Sequence, residues 1–465
     1  MPTASLSRWT MSYFAAALAF LIAAEALAAV GVGYPAAGLA DPSTLVLVHL
    51  VAIGWLSLAV AGALLQFVPV LVSRPLAFPQ LALPALLTLG TGLALLCAGF
   101  SVLAGWIEAP LDLLPLATVF LLCGFFLLGL MLVGTLLSAR PIALFARFVL
   151  IGLACLAATA LSGTAFAMIL SGHGGWLGAV ALLPDALPFH AVLGFGGWLG
   201  LIAFGVSYRL FVMFMMAPEP PPAHIRPVLT FAGLGLGLAF TGLAAPFAGV
   251  APGSAWVAAT LAVLALASAF YGRDILALYR ARRRKALEIN MLASIPAFAA
   301  LGIGLTLLPV AVLAGAEEGW IAALALLLVF GWLGGLTLAQ LVKIVSFMTW
   351  LETYAPRLGR GPAPRVGDLV AMPRTGWWFL LYYGGVALGA AMLVAGAASG
   401  FRWSMMSCLA GTAGIAVELF RVRRLSEIKA AERPMAHERP WLLLARSDER
   451  KSRHVDIGSI ANPRA

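Results

Sequence analysis

Twelve long apolar segments fix the class of fold that this sequence can form. They start near residues 11, 44, 80, 114, 145, 187, 226, 254, 290, 319, 374 and 402. Crossing the hydrocarbon core of a bilayer takes about 20 apolar residues, and each segment is long enough. Only 10% of the 465 residues are charged, whereas about a quarter of a soluble protein is. Because lipid offers no partners to unpaired backbone groups, we predict an all-α, polytopic transmembrane bundle of about 12 helices.

The basic residues fall on one side of this predicted bundle. With the N-terminus inside, Arg402 is the only one of the 29 Lys and Arg residues that lies outside. The net charge of +10 therefore follows the positive-inside rule and indicates no nucleic-acid partner. We expect a multi-pass protein of a bacterial inner membrane, surrounded by the lipid bilayer, with both termini cytoplasmic. The first segment has a signal-like pattern, but its removal would break the repeat described next, so we expect it to be retained.

The tripeptide Gly-Trp-Leu recurs in the second, sixth and tenth segments. It starts at Gly54, Gly197 and Gly331. A small residue follows eight positions later, and a long polar residue twelve positions later: Gly62, Gly205 and Ala339, then Gln66, Arg209 and Lys343. We predict three four-helix repeats in a pseudo-threefold 3×4 arrangement, over about residues 1–143, 144–286 and 287–425. A charged cytoplasmic tail over 426–465 follows the transmembrane domain of residues 1–425.

The spacing of small and polar residues repeats in the three motifs, and each of the two residue types has two interpretations. Small residues on one face let neighbouring helices, or a flat cofactor, approach closely. The polar residues Gln66, Arg209 and Lys343 are predicted at the cytoplasmic rim. There they either extend their charged ends to the interface or form an inner gate or proton entry point.

Two histidines stand about one turn inside apolar segments. His49 lies five residues before its Gly-Trp pair, and His190 lies seven residues before the equivalent pair. Each is either a hydrogen-bonded structural histidine or a metal ligand, since neutral imidazole is the commonest metal ligand. Glu25 lies within the first segment. It either accepts a hydrogen bond from His49 and orients this imidazole, as carboxylates do behind metal-bound histidines, or it is a protonated acid bonded to a serine or a backbone carbonyl.

Twelve helices in three arcs, with a histidine near the outer end of the second, resemble subunit I of the heme-copper oxidases. In that family the histidine of helix 2 ligates the low-spin heme, and helix 6 carries a copper ligand. The segment KIVSFMTWLETY (Lys343 to Tyr354) and the H-x-x-x-x-G-W pattern at His49 are similar to an oxidase-like branch of the superfamily. The NnrS-type heme and copper membrane proteins, linked to nitric-oxide stress, are looser relatives. The resemblance implies heme b, or copper, at His49 and His190.

The chain also departs from the oxidase pattern. Oxidases have histidine pairs on helices 7 and 10, whereas residues 226–250 and 321–351 contain no histidine. The His-Pro-Glu-Val signature of helix 6 is absent, because Ala191 follows His190. A dinuclear oxygen-reducing centre lacks its ligands, so we do not expect a terminal oxidase.

Three functions stay open at this stage. The first is a heme protein for electron transfer or for nitric-oxide or oxygen handling, with a redox partner or other membrane subunits. His49 and His190 would then share one heme or bind heme and copper separately, and Gly54, Gly62, Gly197 and Gly205 would leave room for the macrocycle. The second is a cofactor-free scaffold, sensor or assembly factor with an oxidase-like shell. The third is a transporter.

Overall fold

The computed structural model of this chain describes residues 8–173, 183–359, 363–435 and 439–444. Within these ranges, twelve helices are long and apolar enough to cross a membrane. They are α1 (Thr10–Val30), α2 (Pro42–Val72), α3 (Pro79–Leu103), α4 (Leu113–Leu137), α5 (Leu144–Leu170), α6 (Leu183–Met215), α7 (Pro222–Ala248), α8 (Ser254–Arg280), α9 (Ile289–Leu313), α10 (Glu318–Thr353), α11 (Met372–Val394) and α12 (Ala398–Arg423). The predicted all-α membrane bundle of about 12 helices is confirmed. The repeat boundaries stay a prediction, and residues 445–465 of the predicted tail lie outside the described residues.

The two ends of the bundle differ in charge and in how their helices begin. We call the end with Asp41, Asp112 and Glu317 the acidic side, and the end with Arg74 and Arg282 the basic side. Asp41 and Asp112 begin α2 and α4 by accepting hydrogen bonds from backbone N–H groups two residues on. The hydrogen bonds from Ser43 to Asp41 hold the pKa of this carboxyl below its usual range.

Each Gly-Trp-Leu motif lies in a stretch where its helix widens into a π-helix. These stretches are Leu50–Ser57 of α2, Val192–Leu201 of α6 and Leu327–Gly334 of α10. A π-helix is rare and usually lasts a single turn. The same local distortion therefore occurs at equivalent positions of α2, α6 and α10, which meet inside the bundle.

The tryptophans of the three motifs contact one another's helices in a closed cycle. In each contact, a tryptophan meets the residue three positions after the glycine of the next motif. Trp198 Nε1 donates to Ser57 Oγ at 2.9 Å, a Cβ at Gly200 would lie 2.9 Å from Cη2 of Trp332, and a Cβ at Gly334 would lie 3.6 Å from Nε1 of Trp55. The order α6 to α2, α2 to α10 and α10 to α6 gives the centre of the bundle a pseudo-threefold packing.

Ion pairs join the helices at the basic side. Arg374 of α11 donates to both carboxylate oxygens of Glu418 on α12, at 2.5 and 2.8 Å. Arg423 of α12 donates to Glu352 at 3.2 Å and to Thr349 at 3.0 Å, both on α10. Residues 349 and 352 belong to the KIVSFMTWLETY segment, so the polar groups of this segment connect the last helix of the bundle to α10.

Candidate metal site

His49 is held at the point where α2 changes from an α-helix to a π-helix. Its Nδ1 lies 2.8 Å from the Leu45 carbonyl oxygen, which only accepts hydrogen bonds, so Nδ1 carries the proton. Its ring centroid lies 5.2 Å from that of Phe100 on α3. The half-buried imidazole therefore faces α3 and leaves the lone pair of Nε2 available.

His190 lies in α6, two residues before the π-helical stretch that begins at Val192. Its Nδ1 lies 2.9 Å from Oγ of Ser162 on α5. The Ser162 hydroxyl also lies within hydrogen-bond distance of backbone carbonyls of its own helix, with the Ala158 oxygen 2.8 Å away. In the tautomer that carries its proton on Nδ1, His190 donates to Ser162 and keeps the lone pair of Nε2. The ring centroid of Phe166 lies 5.3 Å from the imidazole.

The two imidazoles have similar partners at Nδ1. Each Nδ1 lies within hydrogen-bond distance of an oxygen, and an Nδ1–H group held in this way orients metal-bound histidines and fixes their tautomer. Both Nε2 atoms are consequently suited to bind a metal. The prediction that the two histidines lie at similar depth agrees with their places at the entry to equivalent π-helical stretches.

The number of protein ligands near these histidines limits which metal centre they can form. Among the described residues, no group of three or more His, Cys, Asp or Glu side chains could hold a metal ion. The position of α10 that matches His49 is Leu326, which carries no donor atom. A heme needs only two axial ligands from the protein because its macrocycle supplies the others. The donor set therefore fits heme better than a copper or zinc ion held by protein side chains alone.

Two cavities lie among the helices of the bundle. One of about 180 Å³ is enclosed by α6 to α10, with Val192, Phe204 and Trp332 in its almost wholly apolar wall. The other, of about 90 Å³, lies nearer the basic side between α1, α2, α6 and α10, where Gln340 is one of its few polar residues. Neither cavity is lined by His49 or His190.

The four glycines expected to make room for a macrocycle are covered by neighbouring helices instead. A Cβ at Gly54 would lie 2.7 Å from the side chain of Phe20 on α1, and one at Gly62 would lie 2.8 Å from that of Tyr13. Cβ atoms at Gly197 and Gly205 would likewise meet Cys155 and Phe148 of α5 at 2.6 and 2.5 Å. The prediction of cofactor space at these glycines is corrected: they allow α2 and α6 to pack closely on α1 and α5.

Glu25 hydrogen-bonds to α12 and not to His49. Oε1 of Glu25 accepts from Oγ1 of Thr412 at 2.9 Å. The Glu25 side chain is 0% exposed, and its Oε2 has no hydrogen-bond partner among the described residues. Because His49 faces α3 while Glu25 faces α12, the expectation that Glu25 orients His49 is not met. The alternative of a hydrogen-bonded acid agrees with these contacts, although the partner is a threonine.

The three polar residues predicted at the inner rim differ in their surroundings. Arg209 is half exposed and pairs with Glu219, which agrees with a charged group at the interface. Lys343 is 8% exposed, and its Nζ lies 2.5 Å from an oxygen of Glu288. Glu288 directly precedes α9 on the basic side, so Lys343 extends to that end of the bundle, where it is buried against protein in an ion pair. Gln66 is half buried.

Comparisons with protein families and with curated proteins identified no relative of this chain. No protein-family model matches the chain, and no curated protein sequence matches it.

Ser162, Phe100 and Phe166 complete the surroundings of the two histidines, and sequence reasoning missed all three. Ser162 and His190 are 28 positions apart and on different helices, so no local spacing could have revealed the contact.

Proposed function

We propose that this chain is a membrane heme protein for electron transfer or for handling nitric oxide or oxygen. His49 and His190 would ligate heme b through Nε2, in the half of the bundle nearer the acidic side. The observation that carries the proposal is that both Nδ1 atoms have an oxygen partner, the Leu45 carbonyl for His49 and the Ser162 hydroxyl for His190. Copper is the alternative metal for the same two histidines.

The side chains around the histidines have separate roles in this proposal. The Leu45 carbonyl and Ser162 keep each imidazole in the tautomer that binds iron and raise the basicity of Nε2. Phe100 and Phe166 pack on the two imidazoles and keep water away from them. When bound, heme supplies one-electron chemistry and a centre for diatomic gases. A terminal oxidase is not part of the proposal, because the described residues provide no ligand set for a second metal.

The distribution of the basic residues supports a proposal for the orientation and location of the protein. We propose that the basic side faces the cytoplasm of a bacterium, so that both termini are cytoplasmic and the histidines lie towards the outer surface of the inner membrane. A redox partner or another membrane subunit would then reach the site from the outer half of the bilayer.

Counting heme and copper per chain tests this function directly. The protein is expressed with heme supplied and purified in detergent, together with His49→Ala, His190→Ala and Ser162→Ala variants. His173→Ala is the matched control, since His173 is a half-exposed histidine that lies 3.4 Å from Asp112 on the acidic side. We expect about one heme per chain in the wild type and the control, and little in either histidine variant. Ser162→Ala should weaken heme binding about 10- to 100-fold.

The alternatives predict other results in the same experiment. If the protein contains copper but no heme, and the copper is lost in the histidine variants, then copper and not heme is the metal of this site. No heme and no copper, in a preparation where a control heme protein is loaded, would overturn the proposal. The scaffold and the transporter would then be the functions to test, by searching for bound proteins and transported solutes.

A further inference from the structure

Glu25 carries the one carboxyl group of α1, and the proposed heme site does not use it. It is 0% exposed and lies well inside a membrane-spanning helix. Its Oε1 accepts a hydrogen bond of 2.9 Å from Thr412, whereas Oε2 has no partner among the described residues. An ionised carboxylate that is buried in a membrane-spanning helix without an ion pair is costly.

The other buried carboxyl groups of the bundle all have a basic partner. Asp274 is 2% exposed and accepts from Arg273 at 2.8 Å. Glu418 is 3% exposed and accepts from Arg374 at 2.5 Å. Glu352 pairs with Arg423 at 3.2 Å. Within the described ranges Glu25 forms no ion pair, so it differs from the buried carboxylates that serve as structural anchors.

The helices around Glu25 supply no positive charge to it. From α12, Thr412 offers a hydroxyl and Cys408 a thiol, while Arg402 donates from Nε to the Ala29 carbonyl, one turn further along α1. From α11, Tyr382 is close enough to interact electrostatically with Glu25, but its hydroxyl donates to the Phe330 carbonyl.

The titratable group on α2 also points elsewhere, because His49 faces Phe100 of α3. Among the described residues, the Thr412 hydroxyl is the one group that hydrogen-bonds to the Glu25 carboxyl. A carboxyl in such surroundings is stable as the neutral acid, with the Thr412 hydroxyl on its carbonyl oxygen and the proton on the other oxygen.

We propose that Glu25 is a proton-binding site inside the membrane. The neutral acid carries its proton on Oε2, the oxygen without a partner, while Oε1 keeps the hydrogen bond from Thr412. Release breaks the O–H bond at Oε2 and transfers the proton to water that enters the bundle, and uptake forms the same bond again. Ionisable groups that are placed in this way belong to proton relays in membrane proteins. This inference does not depend on heme at the histidines.

Infrared spectroscopy of the full-length protein in lipid tests the proposal. The C=O stretch of a carboxylic acid is separate from that of a carboxylate, and the difference between wild type and Glu25→Gln isolates it. We expect an acid band at pH 7 that is absent from Glu25→Gln and that moves when H₂O is replaced by D₂O. In Thr412→Val the acid band should persist at a higher frequency, because the hydrogen bond to its carbonyl oxygen is lost.

Two results would overturn the proposal. Only carboxylate bands at pH 7 would mean that Glu25 is ionised. An acid band that does not move during prolonged incubation in D₂O would mean a sealed structural acid that exchanges no proton. Should Glu25→Gln not fold, the shift of the band in Thr412→Val assigns it to Glu25, and the D₂O measurement on the wild type still decides between the outcomes.

Discussion

Nε1 of Trp198 donates a hydrogen bond of 2.9 Å to Oγ of Ser57, and this bond joins α6 to α2 in the interior of the bundle. Both side chains are buried, with 2% and 4% exposure. At the equivalent positions the tryptophans face Gly334 and Gly200. Glycine has no side-chain acceptor, so this bond is specific to one of the three contacts in the cycle.

Replacing Ser57 by alanine should destabilise the protein by about 1–3 kcal/mol, because it leaves the buried indole N–H of Trp198 without an acceptor. Ser101→Ala is the matched control, since the Ser101 hydroxyl bonds only the Cys97 carbonyl of its own helix, at 2.8 Å. Unfolding in detergent, followed by circular dichroism, measures both variants. Equal stability of Ser57→Ala and Ser101→Ala would mean that the hydrogen bond from Trp198 to Ser57 does not stabilise the bundle.

Gly197→Ala should destabilise the bundle by about 1–3 kcal/mol through overpacking. The added Cβ would lie 2.6 Å from both Cβ and Sγ of Cys155 on α5, so one of the two helices must move. Gly233→Ala on α7 is the control, because no other heavy atom lies within 4 Å of its added Cβ. If Gly197→Ala unfolds at the same temperature as the control, the space beside Gly197 is available to a cofactor after all.

A double-mutant cycle on Lys343 and Glu288 measures the buried ion pair. We expect Lys343→Met alone to cost about 1–3 kcal/mol. This is less than the full cost of an unpaired charge, since Glu288 keeps its pair with Arg284. The variant with Glu288→Gln added should recover part of the loss. A neutral effect of Lys343→Met would indicate instead that the ammonium group reaches the membrane interface.

Glu427 makes the stability of the basic side depend on pH. The side chains of Arg374 and Arg421 donate to its carboxylate, at 2.8 and 2.7 Å, and hold its pKa below the usual range. Because the pKa is lower in the folded state, the stabilisation is complete above the unfolded-state value of about 4.3 and is lost as the pH falls through the folded-state value.

Glu427→Gln should therefore lower the unfolding temperature at pH 7, and its difference from wild type should shrink as the pH falls below about 4. Glu108→Gln, which changes an exposed carboxyl on the acidic side, is the control and should show no such trend. A difference that stays constant with pH would show that the carboxylate of Glu427 contributes no pH-dependent stability.

The number of helices and the matching depth of His49 and His190 could be predicted because both depend on patterns along one segment. Segment length gives the helices, and the distance to Gly-Trp gives the depth. The widening of α2, α6 and α10 into π-helices could not be predicted, since their φ and ψ angles differ little from those of an α-helix.

The surroundings of each candidate residue could not be predicted because they come from other helices. One of the two interpretations of Glu25 placed it beside His49 of the next helix, but its partner Thr412 is 387 positions away. The glycines of the motif were equally ambiguous. Small residues favour close approach in general, and only the positions of Phe20 and Cys155 show that helices, and not a macrocycle, occupy the space.

The electron paramagnetic resonance spectrum of the oxidised, heme-loaded protein tests the central claim most directly. If Nε2 of His49 and Nε2 of His190 ligate the same iron, the wild type gives a six-coordinate, low-spin ferric signal. His49→Ala and His190→Ala should each convert it to a high-spin signal, whereas His173→Ala should leave it unchanged. A low-spin signal that survives both histidine substitutions, or no heme signal in the wild type, would contradict the account.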